Sequence, residues 1–170
     1  MVNWRSVFGL LRQGEGPISQ RMRVVWLYMR SCLPSSDAEV PENAERALGR
    51  EGERLAARYL QRHGCKVLYR NFRGPSGGEV DIVCRDKSCD TLVFVEVKTR
   101  RSLAMGRPAE AVTPQKQKLL SRGAMQWLQL LKKRDVPIRF DIVEVLVADG
   151  DEPQCNHIRN AFTLAEPYRY

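Results

Sequence analysis

Gly78-Glu-Val-Asp-Ile-Val-Cys-Arg-Asp86 and, after a polar break, Thr91-Leu-Val-Phe-Val-Glu-Val-Lys-Thr99 decide how this chain folds. Both runs are rich in β-branched and aromatic residues, which suit a pleated, half-buried surface. Arg85 to Asp90 between them is short and polar, so the pair predicts a β-hairpin. On the second strand Val93, Val95 and Val97 line one face, while Glu96 and Lys98, two apart, share the other. A carboxylate and an ammonium therefore stand at the end of an otherwise apolar strand, and Asp81 comes from its neighbour. Charge on an inward strand face is costly unless it is paired or binds something. That departure from the apolar pattern marks a candidate site.

Upstream of the hairpin, Ala44, Ala47, Leu48, Leu55, Ala56, Tyr59 and Leu60 recur at three- and four-residue spacing and predict a helix over 44–62. Asn43 is placed to cap its start and Gly64 to end it. Glu53 falls at the edge of this stripe, within reach of the sheet; taken alone it reads as a solvated side chain. Lys66 to Phe72 predicts a first strand with Val67 and Tyr69 on one face, and Arg73 to Gly78 a flexible turn.

Downstream, the stretch from Lys98 to Arg134 holds ten Lys or Arg against one acid, Glu110. Arg100, Arg101 and Arg107 fall in a loop. Lys116, Lys118 and Arg122 fall on a helix predicted over 114–131, with Thr113 as its cap and Pro114 its first residue. Leu119, Leu120, Ala124, Trp127, Leu128 and Leu131 form its buried face. Ile138 to Val147 predicts a fourth strand, and His157 to Phe162 a short closing segment. The order of helix, three strands, helix and strand implies an α/β fold, a mixed sheet with helices packed on it.

A chain of 170 residues fits one core domain, and 43% hydrophobic residues argue against wholesale disorder. The net charge of +8 suits an anionic partner, most simply nucleic acid. Five cysteines without a C-x-x-C pair read as reduced thiols of a cytoplasmic protein rather than as a zinc site or a disulfide framework. Residues 1–42 differ from the remainder: five arginines and one acid up to Leu33, then a linker holding Pro34 and Pro41. They read as a basic, poorly ordered extension dispensable to a domain over 43–170, or as the product of an upstream start, with Met22 and Met29 available. A basic membrane-surface segment is the lesser alternative. The apolar run from Val24 to Met29 is far below the ~18 residues needed to span a bilayer, so stable membrane insertion is not expected.

Asp81 and Glu96 from adjacent strands make an oxygen-rich pocket suited to Mg²⁺ or Mn²⁺, with the Val97 carbonyl as a third ligand. Such a metal lowers the pKa of a bound water and offsets charge developing on a phosphodiester. Lys98 is placed to hold that water and stabilise the transition state, and Glu53 to orient a water or complete a second metal position. The competing structural account is a surface Glu–Lys pair worth ~0–1 kcal/mol. An isolated E-x-K is weak evidence; an Asp fifteen residues before it and an upstream helical Glu make it stronger.

Gly49-x-x-Gly-Glu-x-x-Ala-Ala-Arg-Tyr-Leu60, Gly78-Glu-Val-Asp-Ile-Val83, Phe94-Val-Glu-Val-Lys-Thr-Arg-Arg-Ser102, Ala111-Val-Thr-Pro-Gln-Lys-Gln-Lys118 and Arg139-Phe-Asp-Ile-Val143 together resemble the YraN family, UPF0102. That family is assigned to the PD-(D/E)xK, restriction-endonuclease-like superfamily, and its core is similar to archaeal Holliday-junction resolvases. The resemblance covers roughly residues 44–165 and leaves out the N-terminal extension. It implies a core of four or five strands flanked by helices, with Glu53, Asp81, Glu96 and Lys98 in the nuclease positions. Some relatives carry Arg where Lys98 stands. Gln117 falls where related nucleases often carry Gln or Lys. The expected function is a metal-dependent endonuclease acting on DNA, including branched or junction DNA. Arg100, Arg101, Lys116, Gln117 and Lys118 are its expected nucleic-acid contacts, and a homodimer is left open. The alternatives are a binding module of the same fold without turnover and a scaffold for DNA-processing proteins.

Overall fold

The computed structural model of the chain describes residues 44–101, 112–131, 136–148 and 150–167. The expected extension over 1–42, the Asn43 cap, Arg107 and the Lys132-Lys133-Arg134 run lie outside them. Helix α1 (Ala44–Arg62) leads into strand β1 (Cys65–Arg73), then β2 (Glu79–Asp86) and β3 (Thr91–Arg100). Helix α2 (Pro114–Leu131) crosses to β4 (Ile138–Leu146), and β5 (Gln154–Phe162) closes the sheet. The five strands lie in sequence order; β3 and β4 pair in parallel and every other neighbouring pair is antiparallel. This is the mixed sheet the sequence predicts, with its last strand longer than expected.

The two helices cover opposite faces, as strand parity requires. Ala56, Ala57 and Leu60 of α1 pack with Ile82, Cys84, Val93, Val95, Val143 and Val145 in one buried layer. On the other face Trp127 of α2 sits 5.1 Å from the Phe72 ring and 5.6 Å from Tyr69. Phe94, Phe140 and Phe162 form a row across β3, β4 and β5, with centroid spacings of 5.7 and 4.8 Å. Leu92, Val93, Phe94 and Val95 are all fully buried, so β3 is sandwiched between both layers.

Local signals set most element ends. Thr113 caps α2 through its hydroxyl, which accepts the Lys116 N–H at 3.3 Å, and Pro114 opens the helix. Gly64 ends α1 in the left-handed region, at φ 86°. The expected stripe of α1 needs correction, because Ala44 and Ala47 are exposed and burial starts at Gly52. Val67 and Tyr69 also differ from expectation. Val67 pairs with Cys84 but Tyr69 with Val83, so an extra residue, Leu68, bulges out of the ladder and flips the parity. Val67 packs toward α1 and Tyr69 toward Trp127. The hairpin break is shorter than predicted: Arg85 and Asp86 continue β2, and the Asp86 carboxylate organises the turn by accepting the Ser88 N–H at 2.9 Å and its hydroxyl at 2.6 Å.

Candidate active site

The β2–β3 ladder stops at Ile82 and Val95, one residue short of Asp81 and Glu96, whereas β3 stays paired with β4 as far as Arg100 and Leu146. The two strands therefore fork where the charged residues begin. Across the fork Asp81 takes over from the backbone: its Oδ2 accepts the Val97 N–H at 2.8 Å. The N–H and C=O of one strand residue point toward the same neighbour, so the Val97 carbonyl also faces the Asp81 side. Asp81 and Glu96 both line a cleft on the α1 side of this fork.

Glu96 is 2% exposed and lies between two ammonium groups. Lys98 Nζ is 3.0 Å from Oε1, and Lys116 Nζ, from the first turn of α2, is 3.2 Å from Oε2. The Lys116 approach is an ion pair out of line for a hydrogen bond, and among the described residues Oε2 makes none. Lys116 also reaches Glu79 Oε2, at 4.0 Å. Burial works against the Lys116 charge, but the carboxylates of Glu96, Asp81 and Glu79 outweigh it and raise its pKa. For Asp81, burial first and the Glu96 carboxylate second push the pKa up to about 7; the Val97 N–H and Lys116 oppose the rise and Glu53 adds to it.

Two close approaches through glycine place the helices here. A Cβ on Gly52 would come 1.8 Å from the Thr99 hydroxyl, so only glycine lets α1 lie this near the end of β3 and bring Glu53 to the site. A Cβ on Gly78 would meet the Gly123 backbone at 2.4 Å. That Gly78–Gly123 crossing seats α2 on the start of β2 and sets where Lys116 ends.

Glu53 enters from the α1 side, with Oε2 buried, 3.8 Å from Arg70 and without a hydrogen bond among the described residues. Glu53, Asp81, Glu96, Arg100 and Arg101 line a cleft of roughly 710 Å³. Lys98 and Lys116 are not among its lining residues and contact Glu96 behind its rim. Among the expected nucleic-acid contacts, Arg101 and Lys118 are exposed. Arg100 is 3.9 Å from Glu144, and Gln117 donates its side-chain amide to the Val112 carbonyl at 3.1 Å. The sequence offered Lys116 only as a phosphate contact; its place beside Glu96 depends on how α2 crosses β2, which helix periodicity does not report.

The donor set can be tested against a metal. It is all hard oxygen: the Asp81 carboxylate, Glu96 Oε2 and the Val97 carbonyl, with Glu53 adding a second buried oxygen without a hydrogen bond among the described residues. Among the described residues no three His, Cys, Asp or Glu side chains converge on one point. Two carboxylates, a carbonyl and waters fit Mg²⁺ or Mn²⁺, which bind through one or two carboxylates and keep part of their hydration.

A second charged cluster, with no role predicted from sequence, lies at the opposite end of β3. Asp141, fully buried, accepts from Arg139 at 2.7 and 2.9 Å, contacts His157 Nε2 at 2.8 Å and accepts the Asn160 N–H at 2.9 Å. Burial would raise its pKa, but these partners outweigh it and hold the carboxyl below the usual range. Asp86 bridges Arg139 at 3.1 Å and Arg159 at 2.6 Å. Every acid oxygen here has a partner, so the cluster ties β2, β4 and β5 together.

A model of the uncharacterised protein family UPF0102 matches residues 52–145. The chain is 50% identical over 119 residues to a UPF0102 protein of Trichlorobacter lovleyi, covering 70% of this chain and 92% of that protein. It is 51% identical over 118 residues to UPF0102 protein GSU0650 of Geobacter sulfurreducens (69% and 90% covered), and 46% over 136 residues to a UPF0102 protein of Pelobacter propionicus (80% and 94%). Among solved structures it is similar to SfsA of Pyrococcus furiosus in complex with Ca²⁺, at a TM-score of 0.32 and 15% identity, over 68% of this chain and 63% of that one.

Proposed function

We propose that this chain, which belongs to the uncharacterised protein family UPF0102, is a metal-dependent nuclease of the PD-(D/E)xK type that hydrolyses phosphodiester bonds in DNA. The observation that carries this reading is the buried Glu96 carboxylate, gripped by Lys98 on one oxygen and met on the other only by the Lys116 ammonium, without a hydrogen bond, across a strand fork from Asp81. A purely structural carboxylate at 2% exposure has its lone pairs filled, as those of Asp141 are.

Asp81, Glu96 and the Val97 carbonyl would hold the metal. When bound, Mg²⁺ or Mn²⁺ supplies a water of lowered pKa and offsets charge on the scissile phosphate. Lys98 keeps the Glu96 carboxylate oriented and presents an ammonium to the attacking water or the phosphoryl oxygen. Glu53, bare and buried across the cleft, is the acceptor that orients a water there. Arg100 and Arg101 on the cleft wall hold the phosphates on either side. A binding module without turnover is the second reading. It is favoured by the failure of Glu53, Asp81 and Glu96 to converge on one point among the described residues.

Labelled single-stranded, duplex and branched DNA, incubated with Mg²⁺ or Mn²⁺, separates the two readings. The nuclease reading expects cleavage by the wild type that disappears in D81N and E96Q, while metal-free binding by those variants holds or tightens as negative charge beside the phosphates is removed. Binding with no cleavage of any substrate would hand the case to the module.

A further inference from the structure

Lys116 is an odd residue to find in the first turn of a helix. The first turn of α2 holds no acid, and a cation there opposes the helix dipole instead of complementing it. The side chain turns inward to the only buried acid oxygen of the pocket's two strands that makes no hydrogen bond among the described residues, Glu96 Oε2. It is the same oxygen on which the metal reading depends. Lys98 fills Oε1 and is fixed by the strand itself. Lys116, unlike Lys98, has a second acid within reach: Glu79 Oε2, 4.0 Å away and more exposed than Glu96, gives it another resting place.

We propose that Lys116 is the pocket's own counter-ion, displaced from Glu96 by a divalent cation and then turned toward the phosphodiester, so that metal and nucleic acid bind with positive coupling. The proposal rests on the nuclease reading and adds regulation to its site. One ammonium cannot neutralise Glu96 and a phosphate at once, and Glu96 Oε2 cannot take an ammonium and a metal at once. Whatever draws Lys116 away therefore favours the metal, and by linkage the metal favours whatever takes Lys116.

The test is Mn²⁺ binding to the full chain, followed by the electron paramagnetic resonance of free Mn²⁺, with and without a short phosphorothioate-linked DNA duplex. K116Q is expected to bind Mn²⁺ alone about tenfold tighter than the wild type, the scale on which neighbours of a metal site act. K116R, which keeps the charge, should stay near wild type. The duplex should tighten Mn²⁺ binding by the wild type about tenfold and leave K116Q unchanged, since the coupling has lost its carrier. Equal or weaker Mn²⁺ binding by K116Q overturns the counter-ion role. If that equal binding is lost in E96Q, the nuclease reading stands without the coupling. If neither the wild type nor K116Q binds Mn²⁺, both fall together.

Discussion

Asp81 spends its charge against its surroundings, and that sets a pH dependence of stability. Its folded pKa, about 7, lies above the 3.8 of a free aspartate, so the folded chain holds a proton that the unfolded chain has released. Stability from this group is complete below pH 4 and is lost as pH rises through 7. The shift corresponds to roughly 4 kcal/mol as an upper figure. D81N should flatten the decline between pH 4 and 7 in urea melts, and added Mg²⁺ should flatten it in the wild type. Asp141 and Asp86 work the other way: their depressed pKa values give stability above pH 4 that is lost in stronger acid. At this scale the sequence was a good guide to neighbours along one strand, as for Glu96 and Lys98, which meet at 3.0 Å. It was a poor one for Lys116 and His157, whose partners come from other elements.

Helix α2 is aimed by the close contact of its Gly123 with Gly78, just before β2. G123A would drive a methyl group to about 2.9 Å from Val80 and against the backbone of Glu79. Overpacking of this kind costs about 1–3 kcal/mol, and a thermal melt of G123A should show it. The shift of α2 should also carry Lys116 off Glu96. β4 and β5 are held to β2 by the buried cluster instead. D141A removes the acceptor shared by Arg139, His157 and the Asn160 N–H while Arg139 keeps Asp86, and should cost about 1–3 kcal/mol; a loss below about 1 kcal/mol in denaturant titrations would mean the cluster is not the tie between these strands. The elements themselves were legible because period-2 and period-3.6 patterns are strong in 78–99, 114–131 and 138–147. The Leu68 bulge was not, since one extra residue leaves no mark on an alternation this short. β5 was read short because Gln154 and Asn156 at its start are polar, as befits an edge strand with one neighbour.

For the molecule as a whole, the expected partner follows from sign of charge. Arg101 and Lys118 are exposed, and the stretch that contains them is almost free of acids. Binding to duplex DNA should weaken with salt, and R101A should lower the log–log slope by about 0.9 if that residue meets one phosphate. A slope unchanged by R101A would move the contact surface elsewhere. No helix among the described residues is long and apolar enough to cross a membrane. The parallel β3–β4 pairing also imposes an order of events in folding. The β1–β2–β3 meander closes through short turns, whereas each β3–β4 bridge, from Leu92–Ile138 to Arg100–Leu146, joins residues 46 positions apart. Loop closure over that distance is slow compared with hairpin formation. A chain emerging from the ribosome therefore holds Asp81 and Glu96 side by side before α2 has docked to bring Lys116 against them. For that interval Lys98 stands beside Glu96 without Lys116.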